Sequence, residues 1–369
     1  KKKRDNRYRY YYLRGLALLE NQVNRLILSD GTFSQYSIVY HRMALDLLSL
    51  AEIFRKENQL ALFSKTFYSK VNLAFNWLNS FIDPLNGDGP NLGSNDGTYL
   101  FNYEDLEYRD FRPSLTLASA VFNLDIQEKF VKNHCLLKIY KIYPKVCKNS
   151  KIKTKSFSEG GFIKLVRDKG FVFFRIPKFR FRPCHADAGH VDVWENGINW
   201  IRDAGSYSYA LDSNSRIKYS GVEGHSTIQF NKEDQMVGIS RFLYGSWLKL
   251  GNFSFNEEKA SCEYFDKNFN QHIRIISKIE TGWEIKDTFN GNFKNATIRW
   301  LLYPAEWNLK GNSMKYKKTK ISFQSNDIYN VTLKEGFESR YYLSKSKIPI
   351  LNLDFFKSGT LKTKINFYD

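Results

Sequence analysis

The hydrophobic period of the chain changes near residue 157. Upstream, Leu13, Leu16, Leu19, Val23 and Leu26 recur at helical spacing, as do Leu45, Leu47, Leu48, Leu50 and Ile53 after the Ser29-Asp30-Gly31 loop. Further helices are expected from about 64 to 81, ending before Asp83-Pro84, and from 113 to 122, with one or two more reaching Tyr143. Between them, residues 86–97 form a loop rich in Gly, Asn and Pro. A polar loop of that length among helices is more often functional than idle. Downstream the apolar runs become short, β-branched and aromatic, as at 161–166, 170–175, 199–202, 273–276 and 297–302, with a turn at Asn290-Gly291-Asn292. Many strands without intervening helices predict an antiparallel β-sandwich. The chain therefore reads as an α+β multidomain protein, helical over 1–150 and β over 151–369, with the lysine-rich stretch 145–155 as linker.

Composition adds charge to this picture. A chain of 369 residues is too long for one ordinary core, and its 42% hydrophobic and 16% aromatic content suffices to fill more than one. The net charge of +18 points either to a polyanionic partner or to a surface biased towards lysine. No zinc-finger spacing, basic-leucine pattern or aromatic RNA-binding signature accompanies the lysines, which argues against nucleic acid; an acidic polysaccharide or oligosaccharide suits a basic protein equally well. The cysteines form no CxxC pair, and a Cys135–Cys147 bridge stays open. No apolar run reaches membrane-spanning length. The sequence opens Lys-Lys-Lys-Arg rather than with Met, so a targeting segment is out of view. Nothing in it bears on oligomeric state.

Candidate chemistry concentrates in 182–194, which holds His185, Asp187, His190 and Asp192. With Asp203 and His225 on later segments, His185 completes a His/Asp/His set of the kind that closes around Zn²⁺. A satisfied His–Asp hydrogen-bond pair is the competing reading. Asp187 suits a supporting contact or a turn cap. His190, Asp192 and Trp194 alternate along one strand and share a face, whether towards a cleft or a core. Tyr207, Tyr209 and Tyr219 are plausible cleft aromatics.

A helical half followed by strands carrying His185-Ala-Asp-Ala, Asp203-Ala-Gly-Ser-Tyr and Gly224-His-Ser-Thr resembles the heparinase II/III-like polysaccharide lyases over nearly the whole chain. Asp30-Gly31 followed by Ser34 and Tyr40-His41 is similar to that family's first signature. Residues 91–97 and 108–114 look most like its branch from bacterial surface-polysaccharide gene clusters. The resemblance implies an (α/α) toroid before antiparallel sheets, with a cleft between them, and a periplasmic or extracellular location. It also implies cleavage of uronate glycans by β-elimination.

Tyr40 matches the family's catalytic tyrosine, against the plainer reading of a helix-start aromatic packed on a core. Tyr219 falls where some relatives place a second one. His41 is a further catalytic candidate, although on a helix its side chain points about 100° from that of Tyr40, and a structural hydrogen bond competes. Arg109 and Arg112 offer forked donors for a carboxylate, against ion pairing with Asp110 or Asp105. Asn91, Asn95 and Asp96 suit sugar hydroxyls, or the turns of their own loop. In metal-bearing relatives the positions of His185, Asp203 and His225 hold a structural zinc at the cleft floor.

Two departures accompany the resemblance. Pro183 stands where many relatives carry a catalytic histidine, so either another group serves, His190 being the nearest candidate, or the reaction depends on Tyr40 with donors from the toroid. Nothing before Asp30 matches their upstream Asn-His motif, since Asn6 stands in a charged context, so the chain reads as N-terminally incomplete. The leading expectation is a lyase acting on an acidic glycan. A non-catalytic glycan-binding or polysaccharide-assembly protein is the alternative. A hydrolase is weaker, because Asp187 and Asp192 are close in sequence but show no opposed pair across a sugar.

Overall fold

Helices α1 (Lys2–Leu26), α2 (Ile38–Glu57), α3 (Lys65–Phe81), α4 (Arg112–Phe122) and α5 (Cys135–Tyr140) build the first part of the computed structural model. It describes residues 2–101, 106–148, 153–212, 218–327 and 329–368. The helix starts are set by local chemistry. The Ser37 and Ser64 hydroxyls accept from the backbone N–H of Tyr40 and Phe67, satisfying donors that a helix N-terminus leaves orphaned. Pro113 opens α4, and Asn123 closes it in the left-handed conformation at φ 56°.

One short helix, α5, stands where one or two were expected to reach Tyr143, and one expectation is corrected between residues 122 and 157. The start of the supposed linker is a strand, since Lys145–Cys147 pairs in parallel with Asp125–Gln127. Lys155 opens the next sheet, and 149–152 lie outside the described residues. No disulfide joins Cys135 to Cys147.

The helices do not close a core by themselves. Trp77 and Phe81 of α3 meet Phe157, Phe162 and Phe173, with ring centroids 5.6 Å apart for Trp77–Phe162 and 5.2 Å for Phe81–Phe173. Those phenylalanines belong to a five-stranded antiparallel sheet in chain order: Lys155–Phe157, Phe162–Val166, Gly170–Arg175, Val191–Glu195 and Ile198–Ile201. Its other face joins a second core shared with a four-stranded and an eight-stranded antiparallel sheet. This is why Val191–Glu195 is buried along its whole length, with no face left for solvent.

Polar contacts lock the helical part to the sheets. Asp30 accepts from the N–H of Gly160 at 2.8 Å, an approach only glycine allows, because a Cβ on Gly160 would meet Thr32 at 2.2 Å. Asp88, in the 86–97 loop, is held by Arg109 at 2.7 Å and by Arg340 of the four-stranded sheet. Arg109 is 3% exposed, so removing the carboxylate strands a buried cation. Replacement of Asp88 by Ala is expected to cost about 3 kcal/mol in chemical denaturation. A loss below about 1 kcal/mol, the range of exposed pairs, would show that the clasp is not the lock described.

Candidate functional site

Tyr40 lies in the first turn of α2, and the 86–97 loop lies across that helix start. Ile38 N–H donates to the Leu92 carbonyl at 3.2 Å, and the Ser37 hydroxyl donates to the Ser94 carbonyl at 2.6 Å. Gly93 is required here, since at φ 74° its Cβ would meet the Tyr36 carbonyl oxygen at 2.2 Å. The crossing brings Asp96 against the Tyr40 hydroxyl and Ser94 against that of Tyr209. From the β half, the 203–209 segment turns through Gly205 at φ 76° and Tyr207 at φ 52°. Tyr209 then places its hydroxyl 2.7 Å from that of Tyr40.

Burial pushes the Tyr40 hydroxyl well above its ordinary range; Tyr209 pulls it back down, and the Asp96 carboxylate adds to the rise. Tyr209 is raised in the same way, by burial first and then by Tyr40 and Asp96. Asn95 is fixed through its carbonyl oxygen, which accepts from Tyr108 Oη at 2.7 Å and from Gly97 N–H at 2.8 Å. Its amide N–H₂ makes no hydrogen bond among the described residues, and it directly precedes Asp96 in the same loop. Asp96 accepts from the Thr98 N–H at 3.0 Å and faces Tyr40, so it is a turn former as well as a site residue.

Several expected site residues are engaged elsewhere. His41 points away from the cleft, because the residue after Tyr40 projects from a different side of α2. It stacks on Trp77 at 4.4 Å, and its Nε2–H donates to the Ala74 carbonyl at 2.8 Å. Arg109 pairs with Asp88 and also donates to Asn91 at 3.3 Å; the expected partner Asp105 lies outside the described residues, and Asp110 serves Arg112 instead. Arg112 grips both Asp110 oxygens and the carbonyls of Pro84 and Asn86. Neither guanidinium fork is left for a substrate carboxylate.

Asn91 is 4% exposed and donates to the Ser339 carbonyl at 2.9 Å, a cross-link between the two halves rather than a sugar ligand. His190 is buried with both nitrogens engaged: Nδ1 accepts from Ser226 N–H at 3.0 Å, and Nε2–H donates to Asp192 at 3.0 Å. It cannot replace the histidine missing at Pro183. Tyr219 stacks on Tyr207 with centroids 5.6 Å apart, among Ala204, Leu301, Ile348 and Ile350, where it has no contact with Tyr40. Tyr209, noted in the sequence only as a cleft aromatic, is the tyrosine whose hydroxyl meets that of Tyr40. Its signal was its step beyond two left-handed turn residues, which the sequence marks only at Gly205.

His185, Asp203 and His225 do converge, with ligand atoms within 4.8 Å of one another and all three buried. Proton placement follows from the neighbours. The Ser206 hydroxyl donates to the Gly93 carbonyl at 3.1 Å, so at 3.2 Å it accepts from His185 Nε2–H, leaving the Nδ1 lone pair of His185 without a partner. His225 Nδ1–H donates to Asp203 Oδ2 at 2.8 Å, which leaves His225 Nε2 equally orphaned. Burial pushes His185 down to about 4. Burial acts on His225 too, but the Asp203 charge outweighs it and holds that imidazole up. Two buried, unpartnered imidazole nitrogens beside a carboxylate fit a cation such as Zn²⁺. Asp187 is not in the set; it pairs with Arg175 at 3.3 Å under the same loop.

A cavity of about 910 Å³ lined by Asp83, Lys129, Lys164, Arg167 and Lys278, among others, shares no residue with the Tyr40 cluster. Its acidic and basic side chains match in number, so it makes no case for an acidic ligand.

The heparinase II/III-like, C-terminal family model matches residues 150–347, more than half of the sequence. The chain belongs to the heparinase II/III-like family. No curated protein matches it by sequence. Among solved structures it is similar to a mutant of the heparan sulfate lyase HepC from Pedobacter heparinus, with a TM-score of 0.73 at 18% identity over 96% of this chain and 56% of that one. A heparinase III structure gives a TM-score of 0.70 at 15% identity, over 96% and 57%. The chain thus spans about half the length of the structures it matches. The heparinase-like fold places the Tyr40–Tyr209 pair and the histidine set on the junction of helices and sheets, and leaves His41 in the helix core.

That placement has a pH consequence. Burial pushes His41 down from 6.5 to about 4, so it is neutral in the folded state. A lowered histidine contributes stability that is complete above pH 6.5 and is lost as pH falls from there towards 4. Urea denaturation between pH 7.5 and 5 should cost the wild type roughly 2 kcal/mol more than a His41→Asn variant. Equal losses would show that His41 titrates freely.

Proposed function

We propose that this protein is a lyase that cleaves an acidic, uronate-containing glycan by β-elimination, outside the cytoplasm. In this reading, residues 1–150 form part of an (α/α) toroid, residues 151–369 form the β-sandwich domain, and the glycan lies in the cleft between them. The observation that carries the proposal is the Tyr40–Tyr209 hydroxyl pair at 2.7 Å, joined across the two halves.

The Tyr40 phenolate removes the proton α to the uronate carboxylate. The electron pair forms the new C=C bond, the bond to the 4-linked oxygen breaks, and the Tyr40 phenol returns its proton to that oxygen. Tyr209 donates its hydroxyl hydrogen to the phenolate, which is the direction in which it shifts Tyr40. The Asn95 amide donates to the uronate carboxylate, lowering the cost of charge developing next to it. A zinc ion on His185, Asp203 and His225 would supply a rigid cross-link beneath the cleft.

A second reading has its own support. Tyr40 is held above its ordinary range by burial and by Asp96, and no cation touches it among the described residues. Such a tyrosine is a poor base near neutrality, as expected of a glycan-binding or polysaccharide-assembly protein that keeps the fold without turnover.

Turnover of a panel of uronate glycans, followed by the ultraviolet absorbance of the unsaturated product, separates the two. Lyase action predicts a rate that rises into the alkaline range, at least a 100-fold loss in Tyr40→Phe with glycan binding retained, and an alkaline shift of the profile in Tyr209→Phe. Binding without product at any pH supports the second reading. For the metal, protein purified without chelators should carry close to one zinc per chain, lost in His225→Ala. Zinc well below stoichiometric amounts leaves the buried His225–Asp203 pair as the explanation of the cluster.

A further inference from the structure

A second feature of the β half suits an acidic chain molecule. Four neighbouring strands of the eight-stranded sheet, Gly282–Asn290, Gly359–Phe367, Thr319–Gln324 and Ser313–Tyr316, bury alternate residues and turn the others to solvent. The outward positions carry Lys286, Lys315, Lys320, Lys362 and Lys364. They carry a single carboxylate, Glu284, which lies 3.7 Å from Lys362 and 3.5 Å from Lys364.

The register opposes like charges directly. Lys286 faces Lys362, and Lys315 faces Lys320. Directly opposed like charges destabilise an antiparallel pair, so this arrangement works against the sheet that bears it. Between the lysines lie Ser313, Ser322, Gln324 and Asn312, and with Lys320, Lys362 and Lys364 they line a groove of about 580 Å³. Neighbouring strands are about 4.8 Å apart and same-face residues about 6.8 Å, so the ammonium groups form a grid at the scale of successive charged sugars.

We propose that this sheet face is a second binding surface for an acidic glycan, separate from the Tyr40 cleft. Lysines meet the carboxylates, while the serine and amide side chains meet hydroxyls. No aromatic side chain projects from the groove, because Phe323 is buried, so base stacking has no platform here and nucleic acid is the poorer fit. The surface shares with the proposed function only its class of ligand.

The test uses the whole chain and size-defined alginate oligosaccharides in fluorescence anisotropy, with dextran as the neutral control. A K320Q/K362Q/K364Q variant should bind alginate at least 10-fold more weakly at low salt and with a shallower salt dependence. Its unfolding temperature should change little, because like-charge opposition is relieved while the partly exposed Glu284 pairs are lost. Tyr40→Phe should leave this component of binding intact, whether or not the cleft is catalytic. Unchanged alginate affinity in the triple variant overturns the proposal. So does a polynucleotide of equal charge that binds the face more tightly than alginate.

Discussion

The site depends on the 86–97 loop being held between the helices and the sheets. Asp88 is gripped from the helical side by Arg109 and from the sheet side by Arg340, and Asn91 links Arg109 to the Ser339 carbonyl. Arg109 is buried, while Asp88 and Arg340 are half-buried, so the Arg109 charge is tolerable only while its partner is in place. The loop is therefore fixed, and with it the start of α2, since Ser94 accepts the Ser37 hydroxyl hydrogen. Tyr40, Asn95 and Asp96 inherit their positions from that lock. The arginines expected to receive a substrate carboxylate instead hold the frame in which one could be received.

Beneath the cleft, the histidine set has a second support. Arg274 pairs with Asp287 at 2.6 Å and donates to the carbonyls of Gly189 and Ser226, the residues next to His190 and His225. His272 donates to the same Asp287 at 2.8 Å and meets Tyr264 at 3.0 Å. The floor is thus braced from the far sheet by a buried, almost fully hydrogen-bonded network, the kind that specifies one arrangement of a core. Full burial and rigid bracing suit a structural cation better than a reacting one.

Much of this was legible in residue types and their spacing. The helical period, the polar loop and the change to short strands all act through neighbours in sequence, where propensity is decided. The convergence of His185, Asp203 and His225 was readable as well, because few arrangements bring two histidines and an aspartate together in a buried site without a shared purpose. The same local signals misread 122–157, where an isolated pair of three-residue strands leaves no periodic trace.

What the sequence by itself determined is the inventory: a basic chain, helices then antiparallel strands, a tyrosine at a helix start and a His/Asp/His set. Only the tertiary structure decided partners. Arg109 chose Asp88 over Asp110, His41 turned to Trp77 while Tyr40 faced the cleft, and Tyr209 rather than Tyr219 met Tyr40 from 169 residues away. The reason is physical. A side chain's type is local, but its partner is whichever group the packed core brings within about 3 Å, and that approach is set by contacts distant in sequence.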